Sequence, residues 1–127
     1  MSDEFIISLG TAQDGGYPHV GCINSCCTRV ENKPNLKRLI SSISIIDLKQ
    51  KKFWIVDISP DINEQLRILS KYIKKYEYPS FSGIFLTHAH IGHYAGLLNL
   101  GLEVLNLSNI SVYVFPRMKL FLNESLM

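Results

Sequence analysis

The sequence predicts an α/β fold, and three observations carry that expectation. Short apolar, β-prone runs recur at residues 4–9, 40–48, 53–58, 81–86 and 111–115. A helical repeat separates the third run from the fourth, and a histidine cluster follows directly on the fourth. At 127 residues and 46% apolar content, the chain fits a single domain with a sizeable core.

Residues 4–9 end at Gly10 and lead into the loop Thr11-Ala12-Gln13-Asp14-Gly15-Gly16-Tyr17-Pro18-His19, which reads as a strand followed by a glycine-rich turn. Glu31-Asn32-Lys33-Pro34-Asn35 is polar and carries a proline, so it reads as a connection. The runs 40–48 and 53–58, joined by Lys49-Gln50-Lys51-Lys52, predict an antiparallel hairpin. Ser59-Pro60-Asp61 then offers a capping hydroxyl, a proline suited to the first helical position and an acid for the first turn. Ile62, Leu66, Leu69 and Ile73 form an apolar stripe, with Arg67, Lys71 and Lys74 on the other side, and Tyr76-Glu77-Tyr78-Pro79 ends this amphipathic helix. Residues 81–86 are apolar almost throughout, as expected of a strand buried on both faces. Residues 94–100 predict a short helix, 111–115 a strand, and Pro116 the opening of a last helix. The alternation points to a sheet with at least one covered face.

The formal charge of +2 is small, and the lysines near residues 49–52 and 71–75 are not interleaved with aromatic residues, so nucleic acid is not an expected partner. No stretch approaches about 18 consecutive apolar residues, and the start Met1-Ser2-Asp3-Glu4 is acidic where a secretory signal is basic. A cytoplasmic location with no membrane partner is the expectation. Cys22, Cys26 and Cys27 are an odd number crowded together, which suits a metal site or free thiols better than a disulfide framework; the other reading is three small buried apolar residues.

Thr87-His88-Ala89-His90-Ile91-Gly92-His93 gathers three of the four histidines. In extended backbone His88 and His90 point the same way, and His93 swings back from the first helical turn, so one cation can contact two or all three. Zinc accepts imidazole nitrogens at about 2.0–2.1 Å, and iron or manganese also suits them. One histidine in such a place reads as an ordinary polar contact, whereas three at HxHxxH spacing read as ligands. Asp57, at the end of another expected strand, either fixes an imidazole tautomer or caps the Ser59 turn.

Phe85-Leu86-Thr87-His88-Ala89-His90-Ile91-Gly92-His93-Tyr94-Ala95-Gly96-Leu97, preceded by Ile55-Val56-Asp57, resembles the HxHxDH metal-binding signature of the metallo-β-lactamase superfamily. The opening Leu9-Gly10-Thr11-Ala12-Gln13-Asp14-Gly15-Gly16-Tyr17-Pro18-His19-Val20-Gly21-Cys22, then Cys26-Cys27, and Val112-Tyr113-Val114-Phe115-Pro116-Arg117-Met118, are similar to the subgroup of pyrroloquinoline quinone biosynthesis protein B. The resemblance implies a four-layer αβ/βα sandwich, of which this chain would be the truncated N-terminal half, since family domains run to roughly twice its length. It implies a zinc-dependent hydrolase that activates a metal-bound water, with iron or manganese as alternatives. His88 and His90 would hold the first metal, His93 would stand on the second-metal side, and Asp57 would be the strand-end aspartate. The cysteines resemble a structural zinc site, with CxxxCC in place of CxCxxC and His19 as either a fourth ligand or a loop residue. Gly92 occupies the aspartate position of the motif and offers no side-chain ligand, which points to a single metal.

Three functions follow as expectations: a metal-dependent hydrolase of a small-molecule substrate, completed by a second copy or a complementing chain; a non-catalytic module with a structural metal at the cysteines; or an iron-dependent oxidative enzyme. Two ligands alone would bind weakly, and an uncovered sheet face would favour association.

Overall fold

Five strands lie in one sheet in the order β1-β2-β3-β4-β5: Glu4–Gly10, Ser42–Asp47, Lys52–Val56, Ser80–Phe85 and Ser111–Tyr113. The computed structural model describes residues 2–77 and 79–125. β1, β2 and β3 run antiparallel as a meander, and β4 and β5 then add parallel. Parallel addition requires long crossovers. The first is α2 (Ile62–Ile73) with a 3-10 turn at Lys74–Tyr76; the second contains α3 (Ile91–Tyr94) and a 3-10 segment at Ala95–Leu100. The remaining helices are α1 (Ser25–Glu31) and α4 (Pro116–Ser125).

The register explains the core. Phe5, Ile46, Phe53 and Phe81 form one row across the sheet, and Ile7, Ser44, Ile55 and Ile84 form the next. These rows pack with Ile62, Leu69 and Ile73 of α2, and Phe53 stacks on Phe81 at 4.9 Å between ring centroids. The serines on this face are satisfied by the neighbouring strand, Ser44 Oγ donating to the carbonyl of Trp54 at 3.1 Å. The opposite face carries Ile43, Ile45, Trp54, Val56, Phe85 and Tyr113, with Phe85 38% and Tyr113 48% exposed.

The strand order and the helix after β3 follow the sequence expectation, while several local features depart from it. The run 81–86 is not covered on both faces: Ile84 is buried, but Phe85 lies on the half-open side. α2 starts at Ile62 with Asp61 in the capping position, and Ser59 acts one step earlier, its Oγ accepting the Asp61 amide at 3.1 Å. The buried stripe of α2 includes Gln65 rather than Leu66, because Gln65 Nε2 donates to the Ile40 carbonyl at 2.7 Å and its Oε1 accepts from Ser59 at 2.8 Å. Beyond Tyr76 the chain turns through Glu77 at φ 55°, and the expected role of Tyr78 in ending the helix lies outside the described residues. The helix expected at 94–100 is a single α-turn at 91–94 followed by 3-10 geometry, and α1 was not expected at all. Among the described residues no helix is long and apolar enough to cross a membrane.

Truncating Phe53, which is 2% exposed, to alanine removes a buried ring that stacks on Phe81 in the core. Phe53→Ala is expected to destabilise the fold by about 3–5 kcal/mol, measured by chemical denaturation. A loss below about 1 kcal/mol would contradict this packing.

Candidate metal centre

The candidate site lies where parallel β3 and β4 end. Asp57 follows β3 directly, and its amide donates to the Phe85 carbonyl at 2.8 Å, so the two strand ends are held together. Asp57 adopts φ 61°, a left-handed geometry that aspartate tolerates because its short side chain bonds locally. That turn aims the carboxylate at the loop after β4.

Three donors converge on Asp57. Its Oδ1 accepts the Thr87 amide at 2.8 Å, and its Oδ2 accepts the Thr87 hydroxyl at 2.7 Å and His93 Nδ1 at 2.8 Å. Because Thr87 gives its hydroxyl proton to Asp57, its oxygen is left to accept from His88 Nδ1, 2.7 Å away. Both imidazoles are thereby protonated on Nδ1 and keep the Nε2 lone pair for a ligand, the arrangement found behind metal-bound histidines. His93 is fixed further by backbone bonds, its carbonyl accepting the Ile58 amide at 2.9 Å while the Gly96 amide donates to the Ile58 carbonyl at 3.0 Å.

One ligand atom from each of Asp57, His88 and His93 lies within 4.8 Å of the others. His90 is outside that group, although its ring centroid is 4.6 Å from that of His88; the His88 and His93 centroids are 4.1 Å apart. The compact group therefore joins His88 with His93, and His90 lies beside it in ring contact with His88. Asp57 has its lone pairs committed to three donors, so it orients the imidazoles. Imidazole nitrogens beside carboxylates are a donor set that suits zinc, iron or manganese.

Two participants were missed from the sequence. Thr87 lies inside the motif, and its role depends on the Asp57 carboxylate that reaches it from the end of β3. Asp14, in the loop after β1, accepts the Gly92 amide at 3.0 Å through Oδ2, and its Oδ1 lies 3.5 Å from His93 Nε2. That amide bond holds the Asp14 carboxyl below its ordinary value against the opposing effect of burial, and His93 and His90 add to this only when they are charged.

The cysteines form a second cluster. Cys22, Cys26 and Cys27 are free thiols whose sulfurs lie within 4.8 Å of one another, Cys26 and Cys27 being 3.9 Å apart. Two sulfurs bound at about 2.3 Å by a tetrahedral zinc ion are roughly 3.8 Å apart. Cys27 is buried and Cys26 exposed, so burial alone does not account for the cluster. His19 stands beside that group, its amide donating to Cys27 Sγ at 3.4 Å, while its ring Nδ1 lies 2.9 Å from the Val20 carbonyl.

No family model matches the chain. It is 33% identical over 99 residues to Coenzyme PQQ synthesis protein B of Klebsiella pneumoniae, a match that takes in 76% of this chain and 32% of that protein. Against the protein of the same name from Methylobacterium radiotolerans it is 29% identical over 98 residues, 75% of this chain and 33% of the relative. The chain thus spans about a third of the length of the curated relatives it matches. Among solved structures, it is similar to Zn(2+)-bound PqqB from Methylobacterium extorquens with a TM-score of 0.73 and 22% identity, covering 94% of this chain and 40% of that one. A diphosphatase of the PhnP family gives a TM-score of 0.71 and 23% identity over 95% of this chain and 45% of that one. Fold and sequence together make this chain a relative of Coenzyme PQQ synthesis protein B that carries part of the metallo-β-lactamase fold.

Proposed function

We propose that the histidine cluster is a divalent-metal site, zinc being the first candidate, and that the chain is the metal-binding part of a hydrolase. The observation that carries this reading is the shared anchoring of His88 and His93 on Asp57, which leaves both Nε2 atoms as lone-pair donors. Nothing in ordinary packing calls for two imidazoles held in the same tautomer with their outer nitrogens free. When bound, such a metal supplies Lewis acidity that polarises a carbonyl or phosphoryl oxygen and acidifies a water.

The residues of this chain then divide the work. His88 and His93 hold the ion, and Asp57 and Thr87 fix their tautomers and raise their basicity. His88 also lines a hollow of about 330 Å³ with Thr87, Ala89, Phe115, Arg117 and Phe121. Arg117 is the one cation of that lining, and a guanidinium beside a Lewis acid favours a substrate that carries an anionic group, a phosphoryl or a carboxylate. A second, structural metal at Cys22, Cys26 and Cys27 is supported by their sulfur spacing.

Elemental analysis of the purified chain after equilibration with zinc tests both sites. The chain should hold metal at each, His88→Ala should lose one portion, and Cys22→Ala should lose the other. Zinc content unchanged by His88→Ala would reject the histidine site and leave the non-catalytic reading, with metal at the cysteines alone.

Asp57→Asn keeps a side chain that tolerates the left-handed backbone, but it places an amide group where Oδ2 accepts from His93. His93 should then shift toward the Nε2-protonated tautomer, visible in imidazole nitrogen NMR, and zinc affinity should fall about 10–100-fold. An unchanged tautomer and affinity would show that Asp57 does not govern the cluster.

A further inference from the structure

We propose that Asp14 is itself a metal ligand, supplying from the loop after β1 the carboxylate that the histidine motif lacks at Gly92. The inference deepens the metal-site reading above and rests on it.

Two observations carry it. The first is spacing. Asp14 Oδ1 and His93 Nε2 are 3.5 Å apart, too long for a charge-assisted hydrogen bond of about 2.7–2.9 Å. It is, however, close to the separation of roughly 3.4 Å between oxygen and nitrogen ligands on one tetrahedral ion. The contrast lies on the same ring, since His93 Nδ1 makes a true hydrogen bond of 2.8 Å with Asp57. With Nδ1 carrying the proton, Nε2 and Oδ1 are both lone-pair donors, and two such atoms face each other stably when a cation lies between them.

The second is the space above Gly92. A Cβ built there would stand 2.8 Å from Asp14 Cγ and 2.9 Å from both Asp14 Cα and Oδ1, so the Asp14 carboxylate fills the volume in which a side chain at 92 would begin. The Gly92 amide in turn holds Oδ2 at 3.0 Å, leaving Oδ1 directed at His93. Glycine at 92 and aspartate at 14 are thus one device: the missing side chain makes room for a carboxylate that arrives from 78 positions earlier in the chain. The loop that brings it is itself anchored, with the amides of Thr11 and Ala12 donating to the Leu39 carbonyl at 3.0 and 2.9 Å. His88, His93 and Asp14 then give the site three ligands, and the weak two-ligand binding expected from the sequence no longer follows.

Cobalt(II) titrated into the full 127-residue chain provides the test, because sulfur-to-metal charge-transfer bands report the cysteine site separately from a nitrogen and oxygen site. Asp14→Asn preserves size and can still accept the Gly92 amide. It should weaken the sulfur-free site at least about tenfold and leave the thiolate bands unchanged, which also reports that the chain is folded. The d–d bands of the sulfur-free cobalt site should also shift in Asp14→Asn, because a carboxylate oxygen leaves the coordination. Unchanged affinity in Asp14→Asn, with binding abolished in His88→Ala, would overturn the role of Asp14 and leave the histidine site standing. A weakened site whose d–d bands are unchanged would make Asp14 a structural residue and likewise overturn the proposal. Absence of any sulfur-free cobalt site in the unsubstituted chain would overturn both readings together.

Discussion

The carboxylate of Asp57 is the constraint on which the rest of the site depends. It is 8% exposed, and burying a carboxylate is costly unless its lone pairs are satisfied. Here the amide and hydroxyl of Thr87 and the His93 imidazole satisfy them at 2.7–2.8 Å. Meeting that requirement fixes three things together. The end of β3 is tied to the loop after β4, His93 is held in one tautomer, and Thr87 is turned so that its oxygen faces His88. Any one of these donors could be replaced by water on an exposed surface, but at this depth the carboxylate and its partners are interdependent.

The fold supplies that depth and the convergence. β3 and β4 are parallel, so their C-terminal ends open on the same edge, the place where α/β sheets gather their ligands. α2 covers one face of the sheet, and buried Gln65 together with Asp61 at the helix start ties it to residue 40, Gln65 donating to the Ile40 carbonyl and the Ile40 amide donating to Asp61 Oδ2 at 2.9 Å. Residues 39 to 41 in turn pair with Thr11 and Ala12. A continuous set of hydrogen bonds therefore leads from the helix start to the loop bearing Asp14, and the position of that carboxylate is a property of the packed fold.

The features that sequence reading reached are those written in short-range pattern. The two apolar runs in residues 40–58 are close enough to show a hairpin, and a proline between a serine and an aspartate marks the start of α2 within a few residues. The three histidines are visible because their spacing is local, and Asp57 because it ends an apolar run. What was missed depends on contacts between distant segments. α1 is seven residues long and has no apolar stripe, so Ser25-Cys26-Cys27-Thr28-Arg29-Val30-Glu31 reads as a helix only once packed. Gln65 looks like a polar residue beside the stripe, and its burial requires a carbonyl from residue 40 to reach it. Asp14 carried one signal, an acid inside a glycine-rich turn directly after a strand, but nothing in that signal names Gly92 as its partner. Residues 81–86 depart from the expectation of a strand buried on both sides because Phe85 turns toward the half-open face.

A crystal of the zinc-loaded protein, with anomalous differences measured at the zinc edge, tests the central claim most directly. The account predicts a peak within about 2.0–2.2 Å of Nε2 of His88, Nε2 of His93 and Oδ1 of Asp14, with Asp57 bonded to His93 directly and to His88 through Thr87. A peak confined to the cysteine sulfurs, or a zinc ion ligated by Asp57 with the histidine Nδ1 bonds broken, would contradict it.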